Sequence, residues 1–329
     1  MAKVSPKTVS RVINGERYVS KELHEKVIEA INELNYLPDS HAANLRRNNK
    51  RSNTIGVLVG SKANPFSSTI HWAIDTIATQ HSNLVLASAL TGDSEQDHNI
   101  ITTMLSHRID ALALVTPITN QSFLLPEVKR GLVVAFIDSP PLGISADSIM
   151  ADNFQGAFLA TSHLMEHGHT RIAYLGADPQ VFTVHERQRG FLEATKQLGS
   201  KGKAIVINNL DEKTVFPAVK QILAGSNPPT AIFAAQNLIA RETIRALHNL
   251  KKEHDVALVG FDDNELFDIV DPAITVVAQD ANQLGTVAAQ QIFNRLEGDT
   301  SEAHHIVLPT KLIERGSGEI APINNSKKK

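Results

Sequence analysis

The chain has 329 residues, 42% of them hydrophobic and 20% charged, with a formal net charge of −3, a balance that suits a globular protein of two or three domains. It contains no cysteine, which excludes a disulfide framework, a thiolate nucleophile and a cysteine zinc site. No run approaches the ~18 apolar residues of a membrane span and no charged-then-apolar signal peptide opens the chain, so a cytoplasmic location with no membrane partner is expected.

The first predicted element lies in residues 1–15, MAKVSPKTVSRVING. Ser5 is a suitable N-cap, and Pro6 suits the first helical position, where its missing N–H costs nothing. Val9, Val12 and Ile13 fall at i, i+3 and i+4 and face inward, leaving Lys7, Thr8, Ser10, Arg11 and Asn14 outward. That outer face suits the DNA major groove, because Arg and Lys pair with guanine edges and Asn with adenine; read alone, it also suits a solvated surface helix. The charge is uneven in the same sense. Residues 1–51 hold ten Lys/Arg against six Asp/Glu, a balance of +4, which leaves −7 for the rest. A basic end on an acidic body fits a polyanionic partner for that end only.

Ser20 then caps a helix over residues 21–34, whose Leu23, Val27, Ile28, Ile31 and Leu34 form an apolar stripe able to pack on the first helix. Asn35-Tyr36-Leu37-Pro38 breaks it. Residues 39–47 are predicted as a short helix with only Leu45 and small residues to bury, too poor in core to be stable alone. Residues 48–53 are a polar, basic linker.

From Thr54 the pattern changes to buried strands alternating with amphipathic helices. Strands are expected at 55–59, 84–89, 111–115 and 133–137, with helices near 66–80, 95–107 and 121–129. A second series runs helix 154–167, strand 172–175, helix 184–198, strand 204–207, helix 212–223, strand 230–234, helix 238–250 and strand 256–260. Strand 274–277, helix 281–296 and strand 306–308 follow, and 321–329 reads as a disordered tail. The alternation predicts an α/β fold of two similar lobes, each a parallel sheet covered by helices, with ligands at the carboxyl ends of the strands.

Catalytic readings find little support. His163 and His167 stand one helical turn apart with His169 close by, a spacing that could ligate zinc, but no carboxylate completes a motif. His185-Glu186 lacks the second histidine of a zinc-protease helix. There is no Walker lysine loop, no G-x-G-x-x-G and no G-x-S-x-G elbow, so neither a cofactor nor an enzymatic activity is expected.

VSPKTVSRVING, YVS, ELNYLP, NLRR, TIGVLV with NPF, ADNFQGA, HGHTRIAYLG, ERQRGF, VALVGFDD, ITVVAQD and LIERGSG occur in this order. Together they resemble the LacI/GalR family of transcriptional repressors over residues 4–318. The resemblance implies a partial, all-α helix-turn-helix DNA-binding headpiece in 1–38 and a hinge helix with linker in 39–53. It implies a two-lobed, type I periplasmic-binding-protein-like sensing and dimerisation domain in 54–320. Lobe 1 would take about 54–151 plus 280–297 and lobe 2 about 152–277 plus 303–318. The implied partners are operator DNA, a small-molecule effector that is a sugar or sugar derivative, and a second copy of the chain, as a homodimer or a dimer of dimers. A secreted sugar-binding protein is the rival class, and it would open on a signal peptide rather than a reading helix.

Carried onto this chain, the resemblance assigns Pro6, Lys7 and Arg11 to base reading, with Ser5, Thr8 and Asn14 on the DNA backbone. Leu45 becomes a minor-groove wedge flanked by the small Ala42 and Ala43. Arg187 and Asp262 become the polar pair holding ligand hydroxyls or carboxylates, and Phe66, Asp138, Leu210 and Asn237 line the cleft. The sequence departs from the family pattern in three places. That pattern begins earlier, with a helix that buttresses the recognition helix; here Met1-Ala2-Lys3 falls where that helix should end. A start assigned too late or a truncation would account for it, and a sugar sensor with impaired DNA binding is the alternative. His41 stands at a usually apolar hinge position, and Ala43 where an Arg commonly meets phosphate. Gln236-Asn237 replaces a common Asn-Asp pair, and Leu210 replaces the aromatic stacking face of some members.

Overall fold

The computed structural model describes residues 2–13, 19–34, 36, 51–116, 118, 121–197 and 203–323. The chain divides into two compact units, Met1–Ser52 and Asn53–Lys329. The expected hinge segment 39–47, residues 48–50 of the linker, and 324–329 of the tail lie outside the described residues.

In the first unit, α1 (Pro6–Ile13) and α2 (Lys21–Glu33) form where the caps predict. Ser5 Oγ accepts the Thr8 N–H at 3.2 Å, and Ser20 Oγ accepts the Leu23 N–H at 3.4 Å. Val12 and Val27 are buried. The rest of the α2 stripe is more open than its spacing predicts: Leu23, Ile28 and Leu34 are exposed. The reason is size, since α1 has only eight residues and two turns cannot cover a longer face. An apolar groove of about 300 Å³ between Val4, Val9, Val27, Ile31, Leu34 and Tyr36 marks the uncovered part.

The second unit carries two six-stranded sheets. The first lobe runs β1 (Thr54–Val59), α3 (Pro65–Gln80), β2 (Leu84–Ala89), α4 (Ser94–Ser106) and β3 (Ala111–Val115). A 3₁₀ turn, Ser122–Leu124, leads into α5 (Leu125–Lys129), then β4 (Val133–Ile137) and β5 (Asp147–Ala151). The second lobe runs α6 (Asn153–Glu166), β6 (Arg171–Leu175), α7 (Phe182–Lys196), β7 (Lys203–Ile207) and α8 (Val215–Leu223). It continues through β8 (Ala231–Ala234), α9 (Asn237–Leu250), β9 (Ala257–Phe261) and β10 (Thr275–Ala278). The chain then returns to the first lobe with α10 (Ala281–Glu297) and β11 (His305–Leu308), and ends in the second with β12 (Lys311–Ile313).

The sheet orders are β11-β5-β4-β3-β1-β2 and β12-β10-β9-β8-β6-β7. From β5 and β10 inward the two orders are equivalent strand for strand, and every pairing among these strands is parallel. The continuous apolar strands explain this, because both faces of each sheet are covered. Ile55, Val57, Ile70, Ile74, Leu284 and Ile292 share one core, while Leu58, Leu112 and Phe136 fill the opposite face.

Three departures from the sequence reading follow. The segment 303–308, assigned there to lobe 2, belongs to the first sheet, where β11 pairs in parallel with β5. Its anchor is Asp147: Oδ1 accepts the His304 N–H at 2.8 Å, and the Arg295 guanidinium at the end of α10 donates to both carboxylate oxygens at 2.8 and 2.9 Å. β5 and β12 were not expected at all. In addition, α8 starts at Val215 rather than near 212, because Asp211 and Thr214 close a turn of their own: Asp211 Oδ1 accepts the Lys213 and Thr214 N–H groups. Among the described residues, no helix is long and apolar enough to cross a membrane.

Candidate functional site

The loops at the carboxyl ends of both sheets converge. Asp138 directly follows β4 and Asp262 directly follows β9, equivalent positions in the two sheets. Both residues take left-handed backbone, with φ 58° and 69°, a conformation that non-glycine residues adopt rarely and at a cost. Each N–H is held by the neighbouring strand: Asp138 donates to the Ile149 carbonyl and Asp262 to that of Val277. The same backbone device thus presents one carboxylate from each lobe.

Arg187 comes from α7. The helix lies close on α6 because Gly190 has no side chain: a Cβ there would stand 2.2 Å from the Phe154 carbonyl oxygen. One turn earlier, the Arg187 Nε donates to Asn153 Oδ1 at 2.7 Å, and one terminal nitrogen donates to the Ala235 carbonyl at 2.8 Å. The guanidinium carbon lies 3.8 Å from the centre of the Phe261 ring, and a terminal nitrogen lies 3.8 Å from Asp262 Oδ2. Arg187 is 4% exposed, so this cation is held in a dry, fixed pose. Gln279 Nε2 donates to Asp262 Oδ1 at 2.5 Å, leaving its own Oε1 buried without a partner among the described residues.

Asp138 closes the cluster from the first lobe. Burial pushes its carboxyl up to about 7; Arg187 pulls it down and Asp262 raises it further. Among the described residues, its Oδ1 and the neighbouring Ser139 Oγ are buried and without a partner. Orphaned polar atoms of this kind are scarce in folded proteins and mark places where something else completes the pairing.

Phe66 and Asn237 stand at helix starts on opposite lobes. Asn237 Nδ2 donates across the cleft to Asn64 Oδ1 at 2.8 Å, and the same Asn64 oxygen caps α3 by accepting the Phe66 N–H at 3.1 Å. Leu210 is not part of this group, since it is buried in the second lobe's core with Leu175, Val215 and Val219. Conversely, Asn64, Ser139, Asn153 and Gln279 were not singled out from the sequence. Asn153 and Gln279 lie within ADNFQGA and ITVVAQD, where a side-chain amide just beyond a strand end was the available signal. The suspected histidine group is committed elsewhere: His163 Nε2 lies 2.5 Å from Glu319 Oε1, and His169 bonds Thr230 Oγ1 and the Ile320 carbonyl.

Beside this cluster, between the lobes, lies a cavity of about 820 Å³. None of the six expected ligand residues lines it, but Ser139 does.

In the first unit, Ser5, Pro6 and Lys7 are exposed at the start of α1, with Thr8 and Arg11 partly exposed along it. Asn14, Ala42 and Leu45 lie outside the described residues.

Residues 1–39 match the bacterial regulatory proteins of the lacI family, and residues 161–318 match the periplasmic binding protein-like domain. The ribose operon repressor of Escherichia coli K12 is 30% identical over 322 residues, 96% of this chain and 97% of that one. The chain belongs to the LacI family. Among other LacI-family proteins, the repressor PurR of Aliivibrio fischeri MJ11 is 29% identical over 96% of each chain. The lac repressor dimer bound to operator and the anti-inducer ONPF superimposes with a TM-score of 0.84 at 26% identity, covering 97% of each chain. The expected fold class, an α/β two-lobed sensor core behind an all-α headpiece, is that of this LacI-family chain.

Proposed function

We propose that this LacI-family chain is a ligand-responsive repressor that senses a sugar or sugar derivative between its lobes and binds operator DNA through its N-terminal unit. The observation that carries the reading is the meeting of Asp138 with Arg187 and Asp262 beside polar atoms that have no partner among the described residues. A carboxylate accepts hydrogen bonds from hydroxyls and a guanidinium donates to their oxygens, so this alternation suits a polyol. Phe66 and Asn237 complete the assigned effector site. The similarity to a ribose operon repressor supports a sugar as effector.

A ligand that touches both lobes favours one lobe arrangement over another, and differential affinity of ~1–3 kcal/mol is the usual scale of such coupling. In a dimer, or a dimer of dimers, rotation of the first lobe changes the spacing of the two linkers at 48–53. The hinge segment 39–47, poor in core residues, then folds on DNA or does not. Pro6, Lys7 and Arg11 are assigned to base edges, Ser5, Thr8 and Asn14 to the DNA backbone, and Leu45 with Ala42 to the minor groove. The protein works in the cytoplasm and catalyses no reaction.

Substituting Arg187→Ala is expected to abolish the sugar response of operator binding while the dimer persists. Calorimetry with a panel of monosaccharides, alongside fluorescence anisotropy on operator DNA, checks this; an unchanged sugar affinity would overturn the site assignment.

A further inference from the structure

The LIERGSG motif, residues 312–318, contributes nothing to the effector cluster directly, yet its arginine reaches the next residue along from Asp262. Arg315 stands two residues beyond β12. One terminal nitrogen of its guanidinium donates to Asp263 Oδ1 at 2.7 Å and the other to Asp263 Oδ2 at 2.6 Å. The first of these nitrogens also donates to the Ile274 carbonyl at 3.3 Å. Asp263 and Ile274 stand near the two ends of the loop between β9 and β10, so a single guanidinium closes that loop at its root.

The loop needs such a fastening. Its Leu266 and Ile269 are 60% and 73% exposed, and Phe267 is its buried anchor, accepting the Ile274 N–H at 2.7 Å. Asp262, at the loop's start, has φ 69°, a strained conformation that persists only where the surroundings over-determine it. The first lobe meets the same demand at Asp138 with the run Ser139-Pro140-Pro141, whose rings fix the backbone. In the second lobe the run is Asp263-Asn264-Glu265, which has no ring to stiffen it, and the restraint comes from Arg315 instead.

The arginine is well placed to impose it. Its side chain is 18% exposed, and its backbone N–H donates to Thr275 Oγ1 at 3.0 Å. Ser317, two residues on, accepts the Thr275 N–H at 2.9 Å and donates to the Leu258 carbonyl at 2.6 Å. The motif is thus bonded to both β9 and β10, the strands that flank the loop. A planar fork on both oxygens of a carboxylate fixes direction as well as distance, which a lysine ammonium cannot do.

We infer that Arg315 is a positioning residue for the effector: by gripping Asp263 it holds the turn at Asp262, and hence the Asp262 carboxylate, in its pose toward Arg187. The inference rests on the Asp138–Arg187–Asp262 cluster being the effector site.

The test is calorimetry on the full chain with D-ribose, D-glucose and D-galactose, alongside urea unfolding. Arg315→Gln should weaken the tightest-binding of these sugars about tenfold or more. Asp263→Asn should do the same, and the double variant should lose no more than either single one, because both remove one link. Arg315→Lys should restore part of the affinity. Arg295→Gln removes a fork of the same kind, on Asp147 at the amino end of β5, and should lower stability while leaving sugar affinity unchanged. Should Arg315→Gln fail to fold, Arg315→Lys and Asp263→Asn carry the same comparison. Unchanged affinity in the Arg315 variants, additive losses in the double variant, or an equal loss in Arg295→Gln overturns the inference. If binding is lost in Arg187→Ala all the same, the effector reading stands and the role of Arg315 alone falls. Sugar binding that ignores Arg187→Ala, or no heat from any of the three sugars, counts against the effector reading and takes the inference with it.

Discussion

Arg187 shows how much one side chain organises. Its guanidinium joins α6 through Asn153, the end of β8 through Ala235, and the end of β9 through Phe261 and Asp262. Asp138 is its counterpart across the cleft, and its titration is the readable signature of the site. With a carboxyl raised to about 7 by burial, the folded protein binds a proton near pH 6 that the unfolded chain has released. Stability from this group is therefore present at low pH and lost as pH rises toward 7. Asp138→Asn, which mimics the protonated acid, should melt above the wild type at pH 8, and the difference should shrink toward pH 5 in parallel thermal scans. An Asn variant that melts lower at every pH would contradict the sign. Sequence gave access to Asp138, Arg187 and Asp262 only through their motifs, since an arginine or an aspartate on a loop is ordinarily solvated. For Asn153 and Gln279 the only signal was an amide just beyond a strand end, and their partners are defined only once α7 lies on α6 and β10 lies beside β9.

At the level of elements, close helix crossings place the site. Gly190 lets α7 approach the Phe154 carbonyl on α6, and overpacking a fixed backbone contact costs ~1–3 kcal/mol or more. Gly190→Ala should lower the melting temperature and, by pushing Arg187 away from Asn153, weaken sugar binding as well. Urea unfolding together with calorimetry separates the two effects, and a variant of wild-type stability would show that the helices can part freely. The Asp147–Arg295 pair ties β5 to the end of α10 in the same manner. Burial alone would raise the Asp147 carboxyl, but the hydrogen bonds from Arg295 and the His304 N–H hold it below its ordinary range. Its stabilisation is thus present at neutral pH and lost as pH falls through the lowered value. Asp147→Asn should destabilise the protein at pH 7 and flatten the acid limb of its stability profile. The alternation of strands and helices was legible because parallel strands must be apolar throughout. β5 was not, because DSIMA begins with an acid and a hydroxyl whose partners, His304 and His305, lie 157 residues away.

For the whole molecule the decisive fact is that the chain crosses between lobes three times, after β5, after β10 and after β11. Three crossings restrict the lobes to hinge-like motion, and the Asn64–Asn237 hydrogen bond is a further link between them. A fragment of residues 54–151 should therefore fail to unfold cooperatively, since it lacks α10 and β11; cooperative melting of that fragment by circular dichroism would refute the dependence. The periodicity of strands and helices shows that there are two lobes, but not to which one a short strand such as HIVL returns, because nothing local records the partner.

The same crossings set an order of assembly on the ribosome. α10, whose Leu284 and Ile292 complete the core under Ile70 and Ile74, is made only after the entire second lobe up to β10. The first lobe, although synthesised first, must wait with an apolar helix face open while its neighbour's strands are produced. Nascent chains generally fold N-terminal parts first; here each lobe waits for a late piece, the first for α10 and β11 and the second for β12. A stalled or prematurely ended chain would thus be released with its amino-terminal lobe unfinished, a natural substrate for chaperones and proteases.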